Sequence, residues 1–75
     1  MVIIYSTNTC AYCGMAKEYF EKEGIEFIEK NVQEDHAAAK EMVEKTHQLG
    51  VPVIDINGTI VIGFDREAIN KALGK

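Results

Sequence analysis

Only two cysteines occur in the 75-residue sequence, three positions apart in Cys10-Ala11-Tyr12-Cys13. That spacing carries chemistry. With Cys10 at the N-terminal lip of a helix, Cys13 falls one turn in on the same side. The sulfurs can then close or reopen a short disulfide with little backbone movement. A free thiol has a pKa near 8.5, so only a few per cent is thiolate, the nucleophilic form, at neutral pH. At a helix start, the exposed Cys10 faces the positive end of the macrodipole and unpaired N–H groups. The dipole supplies at most about 2 kcal/mol, and one pKa unit is worth about 1.4 kcal/mol, so alone it lowers the thiol by little more than a unit. Hydrogen bonds to the sulfur, from the amides of Tyr12 and Cys13 or from the shielded Cys13 thiol, must supply the rest. Lys17, a turn further along, reads as solvated. The chemistry open to such a pair is thiol–disulfide exchange. Cys10 thiolate attacks a disulfide, and Cys13 or a second thiol resolves the mixed disulfide.

Half of a zinc site is the competing reading of this spacing, but tetrahedral zinc wants four ligands. His36 and His47 are the only other candidates. Both fall on the expected second helix at too wide a spacing, and each reads as a solvent-facing or cap residue. No metal is expected.

Composition narrows the setting. At 75 residues the chain is expected to form one domain, 1–75, burying only about 60% of its unfolded surface. Hydrophobic residues at 47% and charged residues at 27% are globular proportions, and two cysteines are too few for a stapled secreted mini-domain. A net charge of −4 offers no field for phosphate backbones or anionic lipid, so neither nucleic acid nor membrane is expected as a partner. No apolar run nears the roughly 20 residues of a bilayer span. The Met1-Val2-Ile3-Ile4-Tyr5 start lacks a basic leader. The expected setting is the cytoplasm, where a close cysteine pair is reactive rather than structural, and the expected state is a monomer.

The elements that must position the pair follow from periodicity. Val2 to Tyr5 is an apolar, β-branched run suited to a strand buried on both faces. Ser6 to Thr9 is a capping turn. A helix from Ala11 to about Glu23 places Met15, Ala16, Tyr19 and Phe20 inward, and Gly24 stops it. Ile25 to about Val32 reads as a second strand, parallel to the first by a right-handed crossover. Glu34 to about Leu49 reads as a second helix, with Ala39, Met42, Val43 and Thr46 inward and Gly50 at its end. Val51 to Ile56 and Thr59 to Ile62 read as a hairpin about Asn57-Gly58, since both turn positions favour positive φ. Asp65 caps a last helix with Ala68, Ile69, Ala72 and Leu73 inward. The expected fold class is α/β: a βαβαββα chain with a four-stranded mixed sheet and helices on both faces.

Over essentially its full length the chain resembles the glutaredoxins and glutaredoxin-like redoxins of the thioredoxin superfamily. The resemblance rests on Tyr5, Cys10-Ala11-Tyr12-Cys13, Val51-Pro52, and Gly63 with Asp65 before the last helix. It implies a thioredoxin fold and a disulfide oxidoreductase with Cys10 and Cys13 catalytic, acting on protein disulfides with glutathione as co-substrate. In that family the proline is cis and packs beside the redox pair, and Pro52 is the only proline here. Carried over, Tyr12 would flank the glutathione tripeptide and Val51 would pair with its backbone. Asp65, with the local amides of the Gly63-Phe64-Asp65 stretch, would hold the γ-glutamyl end. Asp65 reads equally as a plain N-cap, and both can hold.

The chain also departs from the family pattern. Ala11 replaces a common Pro between the cysteines, and Thr7 stands where a Lys often meets a glutathione carboxylate. Ile62-Gly63 replaces paired glycines, and Arg66 replaces a second Asp. The Gly63-Phe64 pair looks instead like the redoxins reduced by thioredoxin reductase, so glutathione and thioredoxin reductase both stand as expected partners. A third reading is a 2Fe–2S carrier dimer using one Cys per subunit and two glutathiones. Cys13, free to close on Cys10, weighs against it.

Overall fold

The β-branched run at the start of the chain becomes the strand around which the other elements are arranged. In the computed structural model, which describes all 75 residues, the order is β1 (Val2–Ser6), α1 (Ala11–Lys22), β2 (Ile28–Asn31), α2 (His36–Thr46), β3 (Val53–Ile56), β4 (Thr59–Ile62) and α3 (Arg66–Ala72). The sheet order is β2-β1-β3-β4. β1 pairs parallel with β2 and antiparallel with β3, and β3 pairs antiparallel with β4. The expected mixed sheet and element order are therefore present. No helix is long and apolar enough to cross a membrane.

Alternation along the strands divides the core in two. Val2 and Ile4 share one face with Ile54, Ile56 and Val61, and there they meet Ala16 and Phe20 of α1 and Ile69 of α3. On the other face Tyr5 and Val53 pack against Met42 of α2. Helices thus cover both faces. Met15, expected inward, is 49% exposed, because Cys13, Ala16 and Phe20 take the buried stripe of α1.

Several boundaries differ from expectation; α2 begins at His36 rather than Glu34 because Asp35 caps it, accepting from the amides of Ala37 and Ala38. β2 begins at Ile28 rather than Ile25 because the Ile25 amide closes α1, donating to Phe20 O at 2.9 Å. The Gly24 amide donates to Glu21 O, and Gly24 sits at φ +71°, so the helix ends in a Schellman turn that a side chain would strain. α2 ends at Thr46, three residues before the Leu49 expected to close it. His47 takes the left-handed conformation at φ 58°, and Thr46 Oγ1 bonds Met42 O at 2.8 Å. His47 is thus a cap, one of the two roles expected for each histidine, while Gly50 does not end the helix. β3 begins at Val53, after Pro52. The Asn57-Gly58 hairpin forms as expected, both residues having positive φ.

The α2 face also carries a polar knot. Lys45 Nζ donates to Tyr5 Oη and to Asp55 Oδ2, both at 2.7 Å, and Asp55 Oδ1 accepts from the Gly58 amide at 2.8 Å. Burial works to raise the Asp55 carboxyl, but the Lys45 and Gly58 hydrogen bonds outweigh it and hold the pKa below the ordinary value. Burial likewise works to lower the Lys45 ammonium, yet Asp55 and Tyr5 keep its pKa above the ordinary value. The contribution of Asp55 is therefore complete above its unfolded pKa near 3.9, and it is lost as pH falls through the lower folded value. That of Lys45 is complete below about pH 10.4 and is lost as pH rises through the folded value.

Two predictions follow from this packing. Phe20→Ala removes a fully buried ring and should cost about 3–5 kcal/mol, a large share of the roughly 4–11 kcal/mol expected for a domain of this length. Urea denaturation of wild type and variant would measure it. Asp55→Ala should cost about 2 kcal/mol at neutral pH and much less once acid has protonated Asp55 in the wild type. Urea midpoints across the acid range would check that convergence.

Candidate active site

Strand direction brings the expected site residues to one end of the sheet. β1 and β2 finish there together, with Ser6 opposite Asn31. β3, antiparallel to β1, starts there with Val53 opposite Tyr5, and β4 finishes there with Ile62 opposite Val53. Residues 7–10, 32–35, 51–52 and 63–65 therefore share one rim.

Cys10 is the N-cap of α1, with φ −95° and ψ 108°, and Cys13 lies in the first turn. The two are joined as a disulfide, with Cα atoms 5.2 Å apart. Cys10 is half-buried, whereas Cys13 is only 1% exposed. The Cys13 amide donates to Cys10 Sγ at 3.1 Å. Of the two amides expected at this sulfur, Cys13 reaches it, while Tyr12 forms no such bond. Capping by sulfur gives the geometry that lowers a thiol pKa: an N–H aimed at the atom, at the positive end of the helix.

Lys17 does not lie free in solvent. Its Nζ is 2.8 Å from Glu29 Oε2, which also accepts from the buried Ser6 hydroxyl at 2.7 Å. These hydrogen bonds, Lys17 first and Ser6 second, hold the Glu29 carboxyl below its ordinary pKa. Lys17 thus ties α1 to β2, and its charge is spent there rather than at Cys10.

Pro52 is buried behind the rim and the Val51-Pro52 peptide is cis. Pro52 O accepts from the Gly63 amide at 2.8 Å, which joins the two rim segments. Neither the N–H nor the C=O of Val51 bonds another backbone group. Gly63 has φ +85° with open space where a Cβ would stand, so the backbone conformation, not crowding, favours glycine. Tyr12 is 62% exposed beside Cys10. Phe64 is half-buried and turns toward α1, its ring 6.0 Å from that of Tyr19. With Met15 and Tyr19 it lines a hollow of about 270 Å³ between α1 and the start of α3, to which neither cysteine contributes. Asp65 caps α3, Oδ1 accepting from the Ala68 amide at 3.1 Å. Arg66 lies over the Tyr19 ring, 4.9 Å from its centroid.

Tyr5, part of the family resemblance, is not at the rim but in the knot with Lys45. His36 and His47 stand at opposite ends of α2. Sequence reasoning missed Asn8, Asn31 and Gln33, which brace the loop before Cys10: the Asn8 amide donates to Gln33 Oε1, and Asn31 Nδ2 donates to Asn8 Oδ1. An Asx-turn signal at Asn31 was available, but not its reach across to Asn8.

The glutaredoxin family model matches residues 2–61. This chain belongs to the glutaredoxin family. It is 43% identical, over the full length of both chains, to an uncharacterized glutaredoxin-like 8.6 kDa protein in the rubredoxin operon of Clostridium pasteurianum. It is 33% identical to glutaredoxin 3 of Escherichia coli K12 over 64 residues, covering 85% of this chain and 77% of that one. Among solved structures it is similar to the glutaredoxin-like NrdH-redoxin of Escherichia coli, with a TM-score of 0.83, 27% identity, and coverage of 93% and 91% of the two chains. The thioredoxin fold and the glutaredoxin assignment made from sequence both hold. Glutaredoxin membership and the Cys10–Cys13 disulfide together make this protein a thiol–disulfide oxidoreductase in the general sense.

The Asp65 cap gives a prediction independent of any ligand. Asp65→Ala should lower stability by about 1 kcal/mol through the lost bond to Ala68. Thermal unfolding would measure it, and an unchanged midpoint would contradict the capping role.

Proposed function

We propose that this protein reduces disulfides in protein substrates through a dithiol cycle, with Cys10 attacking and Cys13 resolving. The observation that carries the reading is the unequal burial of two bonded sulfurs, the outer one held on the Cys13 amide. In the first step the Cys10 thiolate attacks a substrate sulfur, forming a Cys10–substrate disulfide and expelling the other substrate sulfur as thiolate. Cys13 then loses its proton and attacks Cys10 Sγ. That forms the Cys10–Cys13 disulfide and expels the second substrate thiolate. Two electrons pass from protein to substrate, and a donor must return them. Val51, with its main-chain groups unpaired, is suited to pair with an extended substrate segment, and Pro52 backs it. Tyr12 offers an exposed ring beside the attacked disulfide.

For the donor, we favour a thioredoxin-reductase-type enzyme. Lys17, Lys30, Lys45 and Lys75 are each paired with a carboxylate, and Arg66 is stacked on Tyr19. No lysine lies in residues 7–10, 51–52 or 63–65. The rim therefore offers little positive charge to the carboxylates of glutathione. The similar NrdH-redoxin is described as having a thioredoxin-like activity profile. A glutathione-fed cycle is the second reading, favoured by the Asp65 cap at the start of α3 beside the unpaired Val51 backbone. There Gly63, Phe64 and Asp65 would receive the γ-glutamyl end. A cytoplasmic setting suits either donor.

A coupled assay with each donor decides between them. Turnover with thioredoxin reductase and none with glutathione supports the first reading; the reverse overturns it. Within either cycle Cys10→Ser should abolish turnover. Cys13→Ser should lose protein-disulfide reduction yet still form a trapped mixed disulfide visible by mass spectrometry, and failure to trap one would contradict the assigned order of attack.

A further inference from the structure

Between Ser6 and Cys10 the chain has three residues, Thr7, Asn8 and Thr9, in which to turn from strand into helix. The loop is anchored across the rim, on the turn after β2. The Asn8 amide donates to Gln33 Oε1 at 3.1 Å, and Asn8 Oδ1 accepts from Asn31 Nδ2 at 2.6 Å. Asn31 Oδ1 accepts in turn from the amides of Gln33 at 2.9 Å and Glu34 at 3.2 Å. One asparagine therefore both shapes the turn that presents Gln33 and ties Asn8 to it. Asn31 also lies opposite Ser6 in the sheet, and the next residue, Val32, donates its amide to Ser6 O at 2.8 Å. Main chain and side chain act on the loop from the same strand.

We propose that Asn31 is a positioning residue for Cys10. Through Asn8 it sets where the loop enters α1, and so keeps the Cys10 sulfur on the Cys13 amide once the disulfide is open. In the oxidised protein the covalent bond holds that sulfur in place. In the reduced protein only the loop and one hydrogen bond hold it. The inference rests on the reading of Cys10 as the attacking thiolate. Of the charged groups around the brace, Asp35 caps α2 and Glu29 holds Lys17, while Glu34 Oε2 accepts from Asn31 Nδ2 at 3.4 Å. Truncating Asn31 removes no charge but releases Glu34, whereas truncating Asn8 leaves Glu34 bonded, so slowing shared by both variants reports placement of the sulfur rather than movement of a nearby ion.

The test measures iodoacetamide alkylation of Cys10 in reduced Cys13→Ser protein, alone and with Asn31→Ala, Asn8→Ala or both. Asn31→Ala should slow alkylation about threefold at a pH well below the Cys10 midpoint, equivalent to about half a pKa unit, and leave the rate near pH 10 unchanged. Asn8→Ala should slow it by the same amount or less, and the double variant should be no slower than Asn31→Ala, because the Asn8 side chain acts only through Asn31. An unchanged rate below the midpoint, equal slowing at both pH values, or a loss in the double variant beyond that of Asn31→Ala would overturn the proposal. Should Asn31→Ala fail to fold by circular dichroism, the exposed Asn8→Ala carries the test alone. An ordinary thiol midpoint in the Cys13→Ser reference itself overturns the reading of Cys10, and this inference with it.

Discussion

A single hydrogen bond, from the Cys13 amide to Cys10 Sγ at 3.1 Å, is the contact the rest of the site is arranged to make. It exists because Cys10 is the N-cap rather than a residue within α1, so its side chain meets an amide that has no partner inside the helix. A shift of one residue in the helix start would spend that amide elsewhere and turn the sulfur away. The start is fixed from three sides. β1 ends at Ser6, the loop is tied at Asn8, and Lys17 binds Glu29 a turn beyond Cys13. The same geometry buries Cys13 against the sheet and separates the two thiols by environment. In the proposed cycle the outer sulfur is the one that attacks and the buried one resolves.

The two faces of the sheet stabilise the molecule differently. The face under α1 and α3 is an apolar cluster centred on Ile4, Phe20, Ile54 and Ile69. The face under α2 combines a small apolar patch with the Tyr5–Lys45–Asp55 knot and the Lys30–Glu41 pair. The redox rim itself carries no lysine, and on the donor reading proposed above that would disfavour a small anionic thiol relative to a protein donor held over a larger surface.

Elements with strong local signals were legible in the sequence. Asn57-Gly58 specifies its hairpin by backbone conformation alone, Asp65 announces α3, and the Cys10–Cys13 spacing gives both the helix start and the unequal burial of the sulfurs. Features decided by distant partners were not. Met15 fits a helical stripe, but the sheet lies on the side of Cys13, Ala16 and Phe20. Ile25 to Phe27 is as apolar as a strand, but the amide of Ile25 is taken by α1. Lys17 reads as a solvated surface charge because its partner, Glu29, is twelve residues away on another element. The brace of Asn8, Asn31 and Gln33 was hidden for the same reason: its residues are ordinary turn formers until parallel pairing of β1 and β2 sets their loops side by side.

The reduced Cys10 sulfur should be an anion at neutral pH. Titrating the fully reduced protein by ultraviolet thiolate absorbance tests this directly. One sulfur should ionise well below the free-cysteine value of about 8.5 and the other above it. Two sulfurs ionising together at or above that value would contradict the account.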